Sequence, residues 1–148
     1  MKYRNLFLMA TLSFISMFIL MYIMVNEFAN VYPNLNQLYM AGIMTVPMLL
    51  IELFLMRSMY NNRKLNIFIV VFSLATFILL IIFIKKQTAI SDKQFLKSMI
   101  PHHAAAILMC ENAALHDPKI KELCKTIIST QQSEIDFMKT KIEALKLK

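Results

Sequence analysis

Between Ser98 and Cys110 the chain reads SMIPHHAAAILMC, which places two thioethers, two imidazoles and a thiol in one stretch of helical character. At about 100° per residue, Met99, His102, His103, Ala106, Met109 and Cys110 fall within one arc of roughly 120°. Thioether and imidazole are neutral, soft donors, a set that favours Cu(I) or the similar Ag(I) over Mg or Ca. A structural reading fits the same residues, with methionines as core filler and histidines as hydrogen-bonded polar groups. Pro101 lies inside this helix. It removes one backbone donor and crowds the preceding turn, so a kink beside the histidines is expected.

A second helix must face the first. Asp117 and Pro118 in the motif HDPK read as an N-cap and a first helical residue. The apolar stripe that follows is Ile120, Cys124, Ile127, Ile128, Ile135, Met138, Ile142 and Leu145, with helical spacing. Helices are predicted over about 92–116 and 118–145, with Ser91–Gln94 (SDKQ) as a capping box for the first. So short a turn makes the two antiparallel neighbours. Equal steps from Asp117 set His103 level with Gln131 and Met99 level with Ile135, with Met138 about one turn away. Cys110 and Cys124 each lie seven residues from Asp117 on the inward stripes, so they should face each other. Outside the cytoplasm that favours a disulfide. Buried core thiols and thiolate ligands are the alternatives.

These helices need an anchor, and the N-terminal half supplies one. Of the 148 residues, 58% are hydrophobic and only one is glycine, a composition too apolar for a typical soluble domain. Leu6–Val25 carries no charge, Leu38–Met56 only Glu52, and Leu65–Ile84 none. Each run suffices to cross a hydrocarbon core of roughly 30 Å as a helix. The first is too long for a cleaved signal peptide and lacks a small-residue cleavage pattern. Membrane spans are therefore predicted over about 6–25, 38–56 and 65–84. Residues 1–86 form the anchor, and 87–148 the helical hairpin domain.

Charge sets the expected orientation. Lys2 and Arg4 precede the first span, and Arg57, Arg63 and Lys64 join the second to the third. The loop NEFANVYPNLNQ has neither Lys nor Arg. By the positive-inside rule the N-terminus is cytoplasmic, the protein sits in the inner (cytoplasmic) membrane, and the C-terminal domain is periplasmic or otherwise extracytoplasmic. Lys85 and Lys86 pull weakly the other way. The net charge of +7 is interspersed rather than clustered. It reads as a solvated helix surface close to lipid, with no nucleic-acid motif.

Two membrane features bear on function. Ten of the thirteen methionines lie in residues 1–60, with Met17, Met21 and Met24 on one face of the first span and Met40, Met44 and Met48 on one face of the second. They could mark a soft-metal track, or simply pack. Glu52 is an intramembrane acid, costly to bury, yet close enough to Arg57 to pair or snorkel.

The paired stretches FLKSMIPHHAAAILMCENA and IISTQQSEIDFMK resemble the bacterial family called domain of unknown function 305, which includes the CopM-type copper-binding proteins. The family pattern falls here on Met99, His102, His103, Ala106, Ile107 and Met109, then on Gln131, Glu134, Ile135 and Met138. The likeness implies a ferritin-like helical bundle that handles copper or silver. Its matched metal ligands are Met99, His102, His103, Met109 and Met138. Two departures stand out: Cys110 and Cys124 occupy positions where the family more often has alanine, and one hairpin stands where many members have a full bundle.

The sequence thus leads to an all-α protein, three transmembrane helices followed by an extracytoplasmic antiparallel helical hairpin that is half of a ferritin-like four-helix bundle. A hairpin this small cannot cover both its apolar faces alone, so a homodimer is expected. The expected function is binding of Cu(I), with Ag(I) or Cu(II) as further candidates, in copper homeostasis or resistance. Expected partners are the lipid bilayer and a copper transporter or another periplasmic copper protein. An alternative is a structural or regulatory membrane protein whose disulfide-stapled hairpin docks a partner without metal. No enzyme is indicated. The inward Glu residues and Glu-x-x-His pairs of a di-iron bundle are missing, as are a Ser-His-Asp set and a phosphate loop.

Overall fold

The computed structural model describes residues 2–145. Five helices follow one another: α1 (Lys2–Leu20), α2 (Leu35–Leu55), α3 (Arg63–Lys86), α4 (Asp92–Asn112) and α5 (Pro118–Ala144). A single 3₁₀ turn at Phe28–Asn30 interrupts the loop after α1, and the described residues contain no strand. The chain divides into two compact units. One comprises Met1–Met21 and Asn36–Ala89, the other Tyr22–Leu35 and Ile90–Lys148.

In the first unit α1, α2 and α3 are each long and apolar enough to cross a membrane. Their large side chains point outward as well as inward: Phe7, Phe54 and Phe72 are mostly exposed. Such all-round apolarity fits helices that span a membrane. The inward contacts are few. Leu6, Leu53 and Tyr60 form a small buried cluster flanked by Tyr3, Leu49 and Ile69. Gly42 lets α2 approach α3 closely, since a Cβ there would lie 2.7 Å from a methyl of Leu80. Helix α3 begins at an Asn62 cap whose side chain accepts from the Leu65 amide at 3.1 Å. It ends at Gln87 in the left-handed conformation, φ 50°. Ala89 follows with φ 60°, also left-handed and unusual for a residue with a Cβ.

The first span differs from its expected bounds. Helix α1 begins at Lys2 and stops at Leu20, not Val25, and Val25 packs instead against the core of α4 and α5. The second unit is accordingly larger than residues 87–148, taking in the loop Tyr22–Leu35. Val25 and Tyr32 from that loop pack against a core made by Ile100, Ala104 and Ile107 of α4 and Ile135, Met138 and Ile142 of α5. The spacings, four then three on α4 and three then four on α5, are those of one helical face meeting another.

Three local expectations for α4 and α5 are settled by their surroundings. Asp117 caps α5 as read, its carboxylate accepting from the amides of Lys119 at 2.8 Å and Ile120 at 3.1 Å. The capping box at Ser91–Gln94 does not form. Ser91 makes no side-chain cap bond, and Gln94 Oε1 instead accepts from the Leu35 amide at 3.1 Å. Helix α4 also ends at Asn112 rather than His116. Ala113 is extended at φ −71°, ψ 130°, and Pro118 forces Asp117 into the extended region too, so the reversal consumes the intervening residues.

Candidate functional site

The chemistry-bearing residues of α4 divide between two sides of the helix. Ile100 is fully buried and marks the face toward α5. Counting about 100° per residue, Met99 and His103 flank that face, whereas His102 and Met109 lie roughly 200° and 180° from Ile100. Exposure agrees. His103 and Met99 are half-buried, His102 is exposed, and Met109 is 52% exposed. On α5, Met138 is buried at 6% exposure in the core against which Met99 packs. The structure therefore brings Met99 and Met138 to one core, keeps His103 half-buried one turn after Met99 and against Glu134, and leaves His102 and Met109 facing outward. The two histidine rings stand with centroids 6.1 Å apart and their planes inclined at 63°.

His103 is held at both nitrogens. Its Nδ1 lies 2.9 Å from the carbonyl oxygen of Met99, one turn earlier. Its Nε2 lies 2.8 Å from Oε2 of Glu134 on α5. A carbonyl and a carboxylate both only accept hydrogen bonds, while a neutral imidazole carries one N–H. A neutral ring therefore donates to one of the two, the Met99 carbonyl or the Glu134 carboxylate, and the tautomer decides which. In the tautomer that donates Nδ1–H to the backbone, Nε2 is the nitrogen that could ligate a cation in place of its Glu134 contact, as in a backbone-anchored metal-bound histidine.

The cross-helix partner is Glu134, whereas counting from the turn pointed to Gln131. Side chains on a helix lean toward its N-terminus. His103 therefore leans away from the turn that joins α4 to α5, toward residues further along α5. Gln131 stays half-buried on that helix, one turn before Glu134, with its Oε1 buried and without a hydrogen-bond partner. The motif Gln-x-x-Glu held the signal for Glu134, since three residues separate neighbours on one helix face. Among the described residues, no three His, Cys, Asp or Glu side chains come together as a metal cluster. Any cation held here would rely on thioether donors beside the imidazole.

Pro101 is buried within a continuous α4. It cannot donate to the Lys97 carbonyl, the acceptor four residues back. The side-chain amide of Asn34 approaches that carbonyl instead, at 3.4 Å, while also donating to the Tyr32 carbonyl at 2.9 Å. Asn34 is only 5% exposed. Nothing in the local sequence of α4 announces this partner, 63 residues away.

Cys110 and Cys124 are joined as a disulfide, with Cα atoms 5.2 Å apart and a sequence separation of 14. The bond ties the end of α4 to the start of α5. In the membrane unit, the Tyr60 hydroxyl lies 3.4 Å from Glu52 Oε1, so the acid meets a phenol rather than Arg57. Burial, and then the adjacent Glu52, raise the pKa of Tyr60. Met40, Met44 and Met48 are each more than one-third exposed on α2.

Residues 84–142 match the family described as Domain of unknown function (DUF305), a stretch that takes in the end of α3 and nearly all of α4 and α5. A relative of almost equal length, Uncharacterized protein L153 of Acanthamoeba polyphaga mimivirus, is 33% identical over 151 residues, covering 99% of this chain and 97% of that protein. No solved structure matches. With its Met, His-His and Gln-x-x-Glu residues falling inside the matched stretch, the chain belongs to the DUF305 family.

Proposed function

We propose that this is a membrane-anchored binding protein for Cu(I) or Ag(I), acting by sequestering or handing on the ion rather than by catalysis. The observation that carries the reading is the setting of His103. Its Nδ1 is fixed on a backbone carbonyl, its Nε2 is directed at Glu134, and the thioethers of Met99 and Met138 lie at the same core. Two or three soft donors suffice for Cu(I), whereas zinc normally takes four with several thiolates, imidazoles or carboxylates. The ion is cargo, and Glu134 is the group it would displace from Nε2 or share with it.

In this proposal α4 and α5 form a hairpin that is half of a ferritin-like four-helix bundle, completed by a second copy. The support is the outer face of α4, where Phe95, His102 and Met109 repeat every seven residues and remain exposed. Pairing two copies there would cover this stripe and bring His102 and Met109 into an interior. The charge asymmetry supports a cytoplasmic N-terminus with α4 and α5 on the other side of the membrane. A reporter active only outside the cytoplasm, fused at the C-terminus, is expected to work, and activity from a cytoplasm-only reporter there would reverse the orientation.

The test of binding is competition against a Cu(I) chelator with the full chain in detergent. His103→Ala and Met99→Ala are expected to weaken Cu(I) uptake at least ten-fold, with His116→Ala unchanged because His116 lies in the turn outside both helices. Equal affinity for wild type and the combined Met99, His102 and His103 variant would remove the metal reading. The same exposed stripe then favours the second reading, a regulatory protein that docks a partner without metal.

A further inference from the structure

The disulfide borders a cavity of about 230 Å³, lined by both cysteines and by Ala113, Leu115, Lys121, Lys125 and Ile128. Both cysteines are half-buried, so solvent reaches them from that side. We propose that this cavity is a thiol–disulfide exchange site for a small anionic thiol, and that Cys110 is the sulfur attacked. This assignment does not depend on copper binding.

The asymmetry between the two cysteines decides the direction. Lys121 lies one turn before Cys124 on α5, and Lys125 follows it directly. Lys125 is partly offset by Glu122, whose carboxylate lies 4.0 Å away, so Lys121 is the principal positive charge. Cys110, by contrast, is followed by Glu111. A positive neighbour stabilises a thiolate, and exchange is faster when the departing sulfur is the better thiolate. The incoming thiolate therefore forms a new bond to Cys110 Sγ as the Cys110–Cys124 bond breaks. Its electron pair goes to Cys124 Sγ, which leaves as a thiolate beside Lys121. A second thiolate can then attack the mixed disulfide, releasing the oxidised small molecule and a Cys110 thiolate. Two thiols are oxidised to one disulfide as the protein disulfide becomes a dithiol. The lysines also draw an anionic thiol into an opening otherwise lined by alanine, leucine and isoleucine.

The experiment treats the folded full chain in detergent with reduced glutathione, quenches with acid and locates the adduct by peptide mass spectrometry. Reduction should proceed without denaturant, with the trapped glutathione on Cys110. Lys121→Gln should slow it about three- to ten-fold, and Lys121→Arg should keep the wild-type rate. Far-UV circular dichroism of each variant reports that the fold persists. Reduction only in denaturant, an adduct mainly on Cys124, or equal rates for a folded Lys121→Gln variant and wild type would each overturn the assignment.

Discussion

Asn34 and Pro101 should be energetically coupled although 67 positions apart. The proline leaves the Lys97 carbonyl without its helical donor, and the Asn34 amide is the group that approaches it. Replacing Asn34 by alanine removes that contact and the 2.9 Å bond to the Tyr32 carbonyl. The Tyr32 oxygen keeps a partner in the Tyr22 hydroxyl at 3.0 Å, so its loss is limited to one ordinary hydrogen bond, about 1 kcal/mol. The Lys97 oxygen keeps neither the helical nor the side-chain donor. Its contact is long at 3.4 Å, which puts the penalty at the low end for a buried group, about 1 kcal/mol. Asn34→Ala should therefore cost about 2 kcal/mol in the natural background. With Pro101→Ala, residue 101 regains an N–H that can bond Lys97, and the same change should cost about 1 kcal/mol. The coupling of about 1 kcal/mol is roughly a five-fold difference in the folding equilibrium, above the scatter of independent sites. Urea unfolding of the four full-length proteins in mild detergent, followed by the helical signal lost from α4 and α5, measures it. A coupling below about 0.3 kcal/mol would refute the reasoning and leave Asn34 as packing alone.

Ile135 is fully buried between α4 and α5, so Ile135→Ala should destabilise that unit by about 2–5 kcal/mol in the same unfolding assay. Ala89 has φ 60°, where a Cβ is disfavoured by roughly 1–2 kcal/mol, and Ala89→Gly should stabilise the fold by about 1 kcal/mol, read as a higher urea midpoint, once glycine's unfolded-state entropy is set against the relief. Burial raises the Tyr22 pKa to about 12, with the Asn34 backbone opposing that shift only in part. The unfolded chain then loses this proton first, near pH 10, so the Tyr22 contribution to stability is intact below pH 10 and declines between about 10 and 12. Phenolate absorbance of wild type against Tyr22→Phe should show one group titrating near 12, and a midpoint near 10 would contradict its burial.

What the sequence determined by itself is what depends on adjacent residues or on composition. Three apolar runs of spanning length fit a membrane whatever they touch, because transfer from water scales with apolar area and not with a particular partner. Asp117 and Pro118 start α5 because a carboxylate over free amides and a preset φ act within a single turn. The facing of Cys110 and Cys124 follows from equal distance to that turn. Tertiary structure decided the rest. Gln94 had a local role open to it as a helix cap, yet it serves the Leu35 amide, since a buried donor at a distant position competes for the same oxygen. His102 and His103 are indistinguishable by type, and only the placement of Ile100, Ala104 and Ile107 against α5 turns one inward and the other out. Glu134, rather than Gln131, meets His103 because side chains lean along their helices, a displacement of about one turn that level counting omits. The segment Tyr22–Leu35, whose first residues read as the end of a membrane span, brings Val25 and Tyr32 to the core of α4 and α5, and its Asn34 reaches the carbonyl that Pro101 left without a helical donor.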